Sequence, residues 1–142
     1  MKWTTWRNVG IDRIACAWLI RKRIDPKAEF VFIPHGSMDL PKGTTPFDLP
    51  GVKLSHRRGH CTFHTLLRQY KLKDPILDRI ARIVDEADTV QAINVEPASA
   101  GLDMICDGLR NISKDDHQAI ARGALLFDAL YATLSGDTAK LK

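Results

Sequence analysis

The spacing of apolar residues changes partway along this chain, and that change restricts the fold more than any other feature. Strand-like segments fall within residues 1–56. Lys2–Trp6 is short and rich in Trp and Thr, and Glu29–Ile33 is a buried type of strand closed by Pro34. Thr45-Pro46-Phe47-Asp48 reads as a short edge strand. Val52, Leu54 and His56 alternate with Lys53 and Ser55, which turns His56 inward. One helix interrupts this region: Ile11, Ile14, Ala15, Trp18 and Leu19 follow a 3.6-residue period, with Arg21, Lys22 and Arg23 in the last turn before Asp25-Pro26.

Beyond residue 56 the helical period takes over. Cys61–Tyr70 presents Phe63, Leu66, Leu67 and Tyr70 on one face. Asp74-Pro75 opens the next helix, whose stripe is Ile76, Ile80, Ile83, Val84 and Ala87. Glu96-Pro97 opens another, through Leu102, Ile105 and Leu109. Ser113-x-x-Asp116 resembles a capping box before a last helix carrying Ile120, Ala124, Phe127 and Leu134. About five helices and three or four short strands, segregated in this way, predict a mostly α-helical α+β fold with a small N-terminal sheet.

At 142 residues and 44% hydrophobic composition the chain is expected to form one domain, 1–142. The N-terminus has no apolar stretch of signal-peptide type, and the apolar runs are too short to span a bilayer. Three scattered cysteines make no disulfide framework, so a cytoplasmic setting is expected. Residues 1–71 hold 13 Lys/Arg against 5 Asp/Glu, and residues 72–142 hold 8 against 12. A basic half suits an anionic ligand, although a solvated positive surface has the same composition. The sequence has no internal repeat, GxGxxG, P-loop, GxSxG, CxxC or HExxH.

The densest chemistry is Ser55-His56-Arg57-Arg58-Gly59-His60-Cys61-Thr62-Phe63-His64, with three of the five histidines and one of the three cysteines. If a helix begins at His60, then His60 and His64 share a face and can reach one metal ion. Cys61 would lie at the positive end of that helix, which favours a thiolate. Polar capping explains the same residues without a ligand. Asp85, Glu86 and Asp88 crowd a helix C-terminus against its dipole, so a cation or a basic partner is expected to offset them unless they are simply solvated. Asp88 is the better inward candidate. Cys16 and Cys106 read as small buried hydrophobes. Asp12 reads as a first-turn acid on its helix dipole, Asp116 and His117 as caps, and the Pro- and Gly-rich stretch 35–50 as a flap or partner surface.

Several stretches together resemble the C-terminal domain of the chromate resistance protein ChrB: Lys2-Trp3-x-Thr, Ile11-Asp12-Arg13-Ile14-Ala15-Cys16-Ala17-Trp18-Leu19-Ile20-Arg21, Pro46–Arg57 and Cys61-Thr62-Phe63. Ile83-Val84-x-x-Ala87-Asp88-Thr89, Ala100-Gly101-Leu102, Asp115-Asp116-His117 and Tyr131-Ala132 extend the likeness nearly end to end. Fuller members carry an N-terminal domain linked to DNA binding and chromate-responsive regulation, and this chain resembles only the second domain. The resemblance implies a cytoplasmic role in chromate resistance, as a module responsive to metal or oxyanion. The family usually has Asp or Glu where this chain has His64, an interchange that a metal-ligand position tolerates.

With that resemblance, the expected ligands are His56, His64 and Asp88, with Asp85 as a weaker fourth. Such a mixed N/O set suits Zn, Fe, Mn or Ni. Arg13, Arg57, Arg58 and Arg21 would attract the chromate oxyanion, and a regulatory protein is a further candidate partner. The alternative is an enzyme in which a Cys61 thiolate reduces chromate or an open metal position activates water. Nucleic-acid binding ranks last, because the basic residues lack interleaved aromatics and a recognition-helix signature.

Overall fold

β1 (Lys2–Trp6) is the middle strand of a three-stranded sheet, parallel to β2 (Glu29–Ile33) on one side and to β3 (Thr44–Pro46) on the other. The register sets Trp3 against Phe30 and Thr45. Trp3, Thr4 and Thr5 are buried in succession, as expected of a strand covered on both faces. Pro46, which has no N–H to give, sits on an edge strand. This computed structural model describes residues 1–88 and 95–136; Thr89 and the tail beyond Gly136 lie outside the described residues.

A parallel pair needs a crossover, and α1 (Ile11–Leu19) supplies it between β1 and β2. α1 then becomes the central element of the molecule. It packs against α2 (Thr62–Gln69), α3 (Pro75–Asp88), α4 (Ala98–Ile112) and α5 (Asp116–Leu134). Among its nine residues every one except Arg13 is buried, so the apolar stripe read from the sequence is wider in three dimensions. Trp18 stacks on Phe63 and tilts against Phe127, while its indole N–H donates to Asp128 at 2.9 Å. The helix continues as a π-helical turn over Ile20–Ile24. There Arg21 donates to the Ala28 carbonyl and lies over Phe30 at 4.7 Å, tying the turn to the start of β2.

The mostly helical α+β arrangement is thus the one expected, with five helices among the described residues. Three local readings need correction. Residues 52–56 form no strand: only Leu54 pairs, in an isolated bridge to Phe47. The cap of α5 is Asp115, which accepts from Gln118 N at 2.8 Å while the Gln118 side chain reaches back to Lys114 N. The N-cap therefore lies two residues later than Ser113. Ile105, expected in the stripe of α4, is exposed together with Met104. No helix of the described residues is long and apolar enough to cross a membrane.

Candidate functional site

A helix buried almost all round brings a carboxylate into the core. Asp12 is 2% exposed, and a buried charge persists only with partners. It finds them at the start of α2: Thr62 N donates to Oδ2 at 2.9 Å and Phe63 N to Oδ1 at 3.0 Å. These are N–H groups that a helix cannot satisfy internally. Asp12 lies in the first turn of α1 and caps the first turn of α2, so two positive helix ends converge on one carboxylate. The Cys16 thiol donates to the same side chain at 3.4 Å.

His56 completes the shell, its Nε2 3.1 Å from Asp12 Oδ2. That nitrogen also lies 3.4 Å from Asp48 Oδ1 and 3.1 Å from Asp88 Oδ2. Asp48 has φ of +53°, a left-handed conformation that Asp tolerates better than most residues. The turn aims its carboxylate at the Thr62 hydroxyl, which donates at 2.7 Å, and at Arg13 Nε, 3.0 Å away. Asp88 enters from the end of α3. The cluster lines a cavity of about 590 Å³, shared with Trp6, Asp103, Asp107 and Arg110.

The electrostatics follow from this crowding. The bonds to Asp12, Asp48 and Asp88, in that order, push His56 up to about 12, so the imidazole holds a proton. Burial pushes Asp12 up to about 6, against the pull of the His56 bond. Three carboxylates face one imidazolium and one guanidinium. Asp12, Asp48 and His56 each place a donor atom within 4.8 Å of the other two. Donors bound to one ion at about 2.1 Å stand roughly 3.0–3.5 Å apart, which is the spacing around His56. The donor set therefore suits a divalent cation, which would replace the proton on His56.

The residues singled out in the sequence divide into two groups. His56 and Asp88 meet in this cluster. His64 and Asp85 do not join them. Asp85 accepts from Cys61 N at 2.6 Å and pairs with His60 Nδ1 at 2.8 Å. The His60 ring in turn stacks on His64, with centroids 4.0 Å apart. His60 and His64 face a separate cavity with Arg57 and Arg58. Asp85 thus offsets its unfavourable place near the end of α3 by capping α2. The surroundings of Cys61 do not favour the thiolate expected there. The side chain is fully buried, and burial first, then Asp12 and Asp85, push the thiol well above its ordinary value. A thiol so enclosed packs as a core residue.

Sequence reasoning missed Asp12 and Asp48. The available signal for Asp12 was its i, i+4 relation to Cys16, which marks it as lying beside the buried stripe. No motif marked Asp48, which meets Arg13, His56 and Thr62 only through the fold.

Fold and site together define a mostly helical α+β domain with a carboxylate–imidazole cluster held between two helix N-termini. The chain belongs to the ChrB C-terminal domain family, whose profile matches residues 3–134. It is 30% identical over 135 residues to Protein ChrB of Cupriavidus metallidurans, covering 94% of this chain. The match spans 41% of that relative's length. No solved structure matches the chain significantly.

Proposed function

We propose that this chain is a metal-binding module of chromate resistance, holding one divalent transition-metal ion through Asp12, Asp48 and His56, with Asp88 as the fourth donor. Family membership supports the chromate role. The convergence of the three carboxylates on His56 Nε2 carries the metal assignment. The carboxylate majority favours the harder end of the expected metals, Mn or Fe, over Zn and Ni. The module responds to chromate in a cytoplasmic setting, and a regulatory protein reads its state. The enzymatic alternative that used Cys61 loses its support with the burial of that thiol.

Elemental analysis of the purified chain tests the assignment. About one ion per chain is expected, lost in His56→Ala and retained in His64→Ala, whose side chain faces the other cavity. Full occupancy in His56→Ala would refute the ligand set.

A further inference from the structure

The segment Arg57-Arg58-Gly59-His60 is a tight turn closed by two backbone bonds, Arg57 N to His60 O at 3.1 Å and His60 N to Arg57 O at 2.9 Å. Both central residues have positive φ, +51° at Arg58 and +78° at Gly59. This mirror-image turn is ordinarily filled by Asn, Asp or Gly. Gly59 suits it. Arg58 does not, and a residue held in an unfavourable conformation directs attention to what its side chain does.

Arg58 lines a cavity of about 490 Å³ together with Arg57, Arg68, His60 and His64, and Thr65 and Gln69 complete the wall. Among the described residues, none of the three guanidiniums has a carboxylate partner within ion-pair distance. This distinguishes them from Arg13, committed to Asp48, and Arg21, committed to Ala28. Asp85 is bonded to His60 Nδ1 and holds that ring in place, with His64 stacked against it. All seven lining side chains are polar, and none is aliphatic. The wall offers cationic and neutral donors, and its apolar part is the stems and ring faces of those same polar side chains.

We propose that this cavity binds a small inorganic tetrahedral dianion, held by Arg57, Arg58 and Arg68 and flanked by the His60–His64 stack. The proposal deepens the oxyanion part of the function proposed above and does not depend on the metal. The cavity and the carboxylate cluster share the start of α2: His56 precedes Arg57, while Asp12 and Asp85 cap adjacent N–H groups at residues 61 to 63.

The test is calorimetric titration of the full chain with sulfate and with chromate at constant ionic strength, with and without metal. Arg58→Gly is the informative variant, because glycine suits the turn while the guanidinium is lost. It is expected to raise the thermal midpoint and to weaken both anions about tenfold, the effect of one charge-assisted bond. Arg122→Ala removes equal charge elsewhere and is expected to change neither. Unchanged affinity in Arg58→Gly, equal loss in Arg122→Ala, or no binding by the wild-type chain would each overturn the pocket. Chromate retained by Arg58→Gly but lost in His56→Ala would place the anion at the carboxylate cluster, overturning the pocket while leaving the proposed function standing. Binding of both anions by a chain that takes up no metal would support the pocket and sink the metal assignment.

Discussion

Asp12 and Asp48 are both carboxylates of the same cluster, yet their removal has different expected consequences. Asp12 accepts two backbone N–H groups with two oxygens, and Asn offers only one acceptor. Asp12→Asn therefore turns an amide N–H toward a buried donor and is expected to cost about 1–3 kcal/mol as well as the metal. Asp48 occupies a left-handed position where Asn is equally at ease. Asp48→Asn is expected to abolish metal binding; its Thr62 bond survives with the amide oxygen, and a destabilisation of about 1 kcal/mol comes from the lost Arg13 ion pair. Denaturant midpoints beside metal content decide the matter; equal destabilisation by the two variants would contradict the capping role of Asp12. The contrast also explains what the sequence concealed. A helical period shows that Asp12 lies beside a buried stripe. It does not show that another helix begins 50 residues later against the same carboxylate.

At the level of elements, the position of α1 governs the site, and α5 fixes α1. A Cβ built on Gly123 of α5 would collide with the side chain of Ile14. The absence of a side chain there lets the two helices approach closely. Gly123→Ala gains helix propensity of about 1 kcal/mol, but overpacking costs about 1–3 kcal/mol, so net destabilisation is expected. Ile14→Ala, which removes the Cγ2 methyl that the new Cβ meets, should cost less in the Gly123→Ala chain than in the wild type, measured by thermal unfolding; a more stable Gly123→Ala would show that the helices give way easily. α3 is tied at its start by Asp74, which caps Ile76 and accepts from Arg23 and the Tyr131 hydroxyl at 2.7 Å each. Burial pulls Asp74 upward, and the bonds from Tyr131 and Arg23 overcome it and hold the carboxyl below its ordinary 3.8. Such a group contributes stability that is complete above 3.8 and disappears as pH falls through its lower folded value. Wild-type stability should thus fall more steeply in acid than that of Asp74→Asn, and parallel acid limbs would refute the tether. The Asp-Pro signal made this helix start readable, because capping is local. The exposure of Ile105 was not readable, because a period gives a face but does not say whether a neighbour covers it.

Across the whole molecule, the helices and the sheet were visible in the sequence, whereas the site is a product of their assembly. Asp12 comes from α1, Asp48 from the segment after β3, His56 from the loop before α2, and Asp88 from the end of α3. His56 and Asp88 were identifiable as chemically rich, but grouping them with His64 and Asp85 followed proximity in sequence. The structure instead sorts the stretch 55–64 onto two sides of the α2 start. A cation bound by four separated segments binds only the folded chain, since the unfolded chain cannot hold those donors together. Free metal at about 100 times its dissociation constant should therefore raise the unfolding free energy by about 2.7 kcal/mol. His56→Ala should show no such increment, and His64→Ala should show all of it. Uptake by the wild type should also release close to one proton per ion near neutral pH, because His56 holds its proton up to about 12 and must surrender it to bind. Calorimetry in buffers of different ionisation enthalpy reads that proton directly. Metal binding with no proton release would mean that the ion avoids His56, and the four-segment site would have to be abandoned even if the metal content were one per chain.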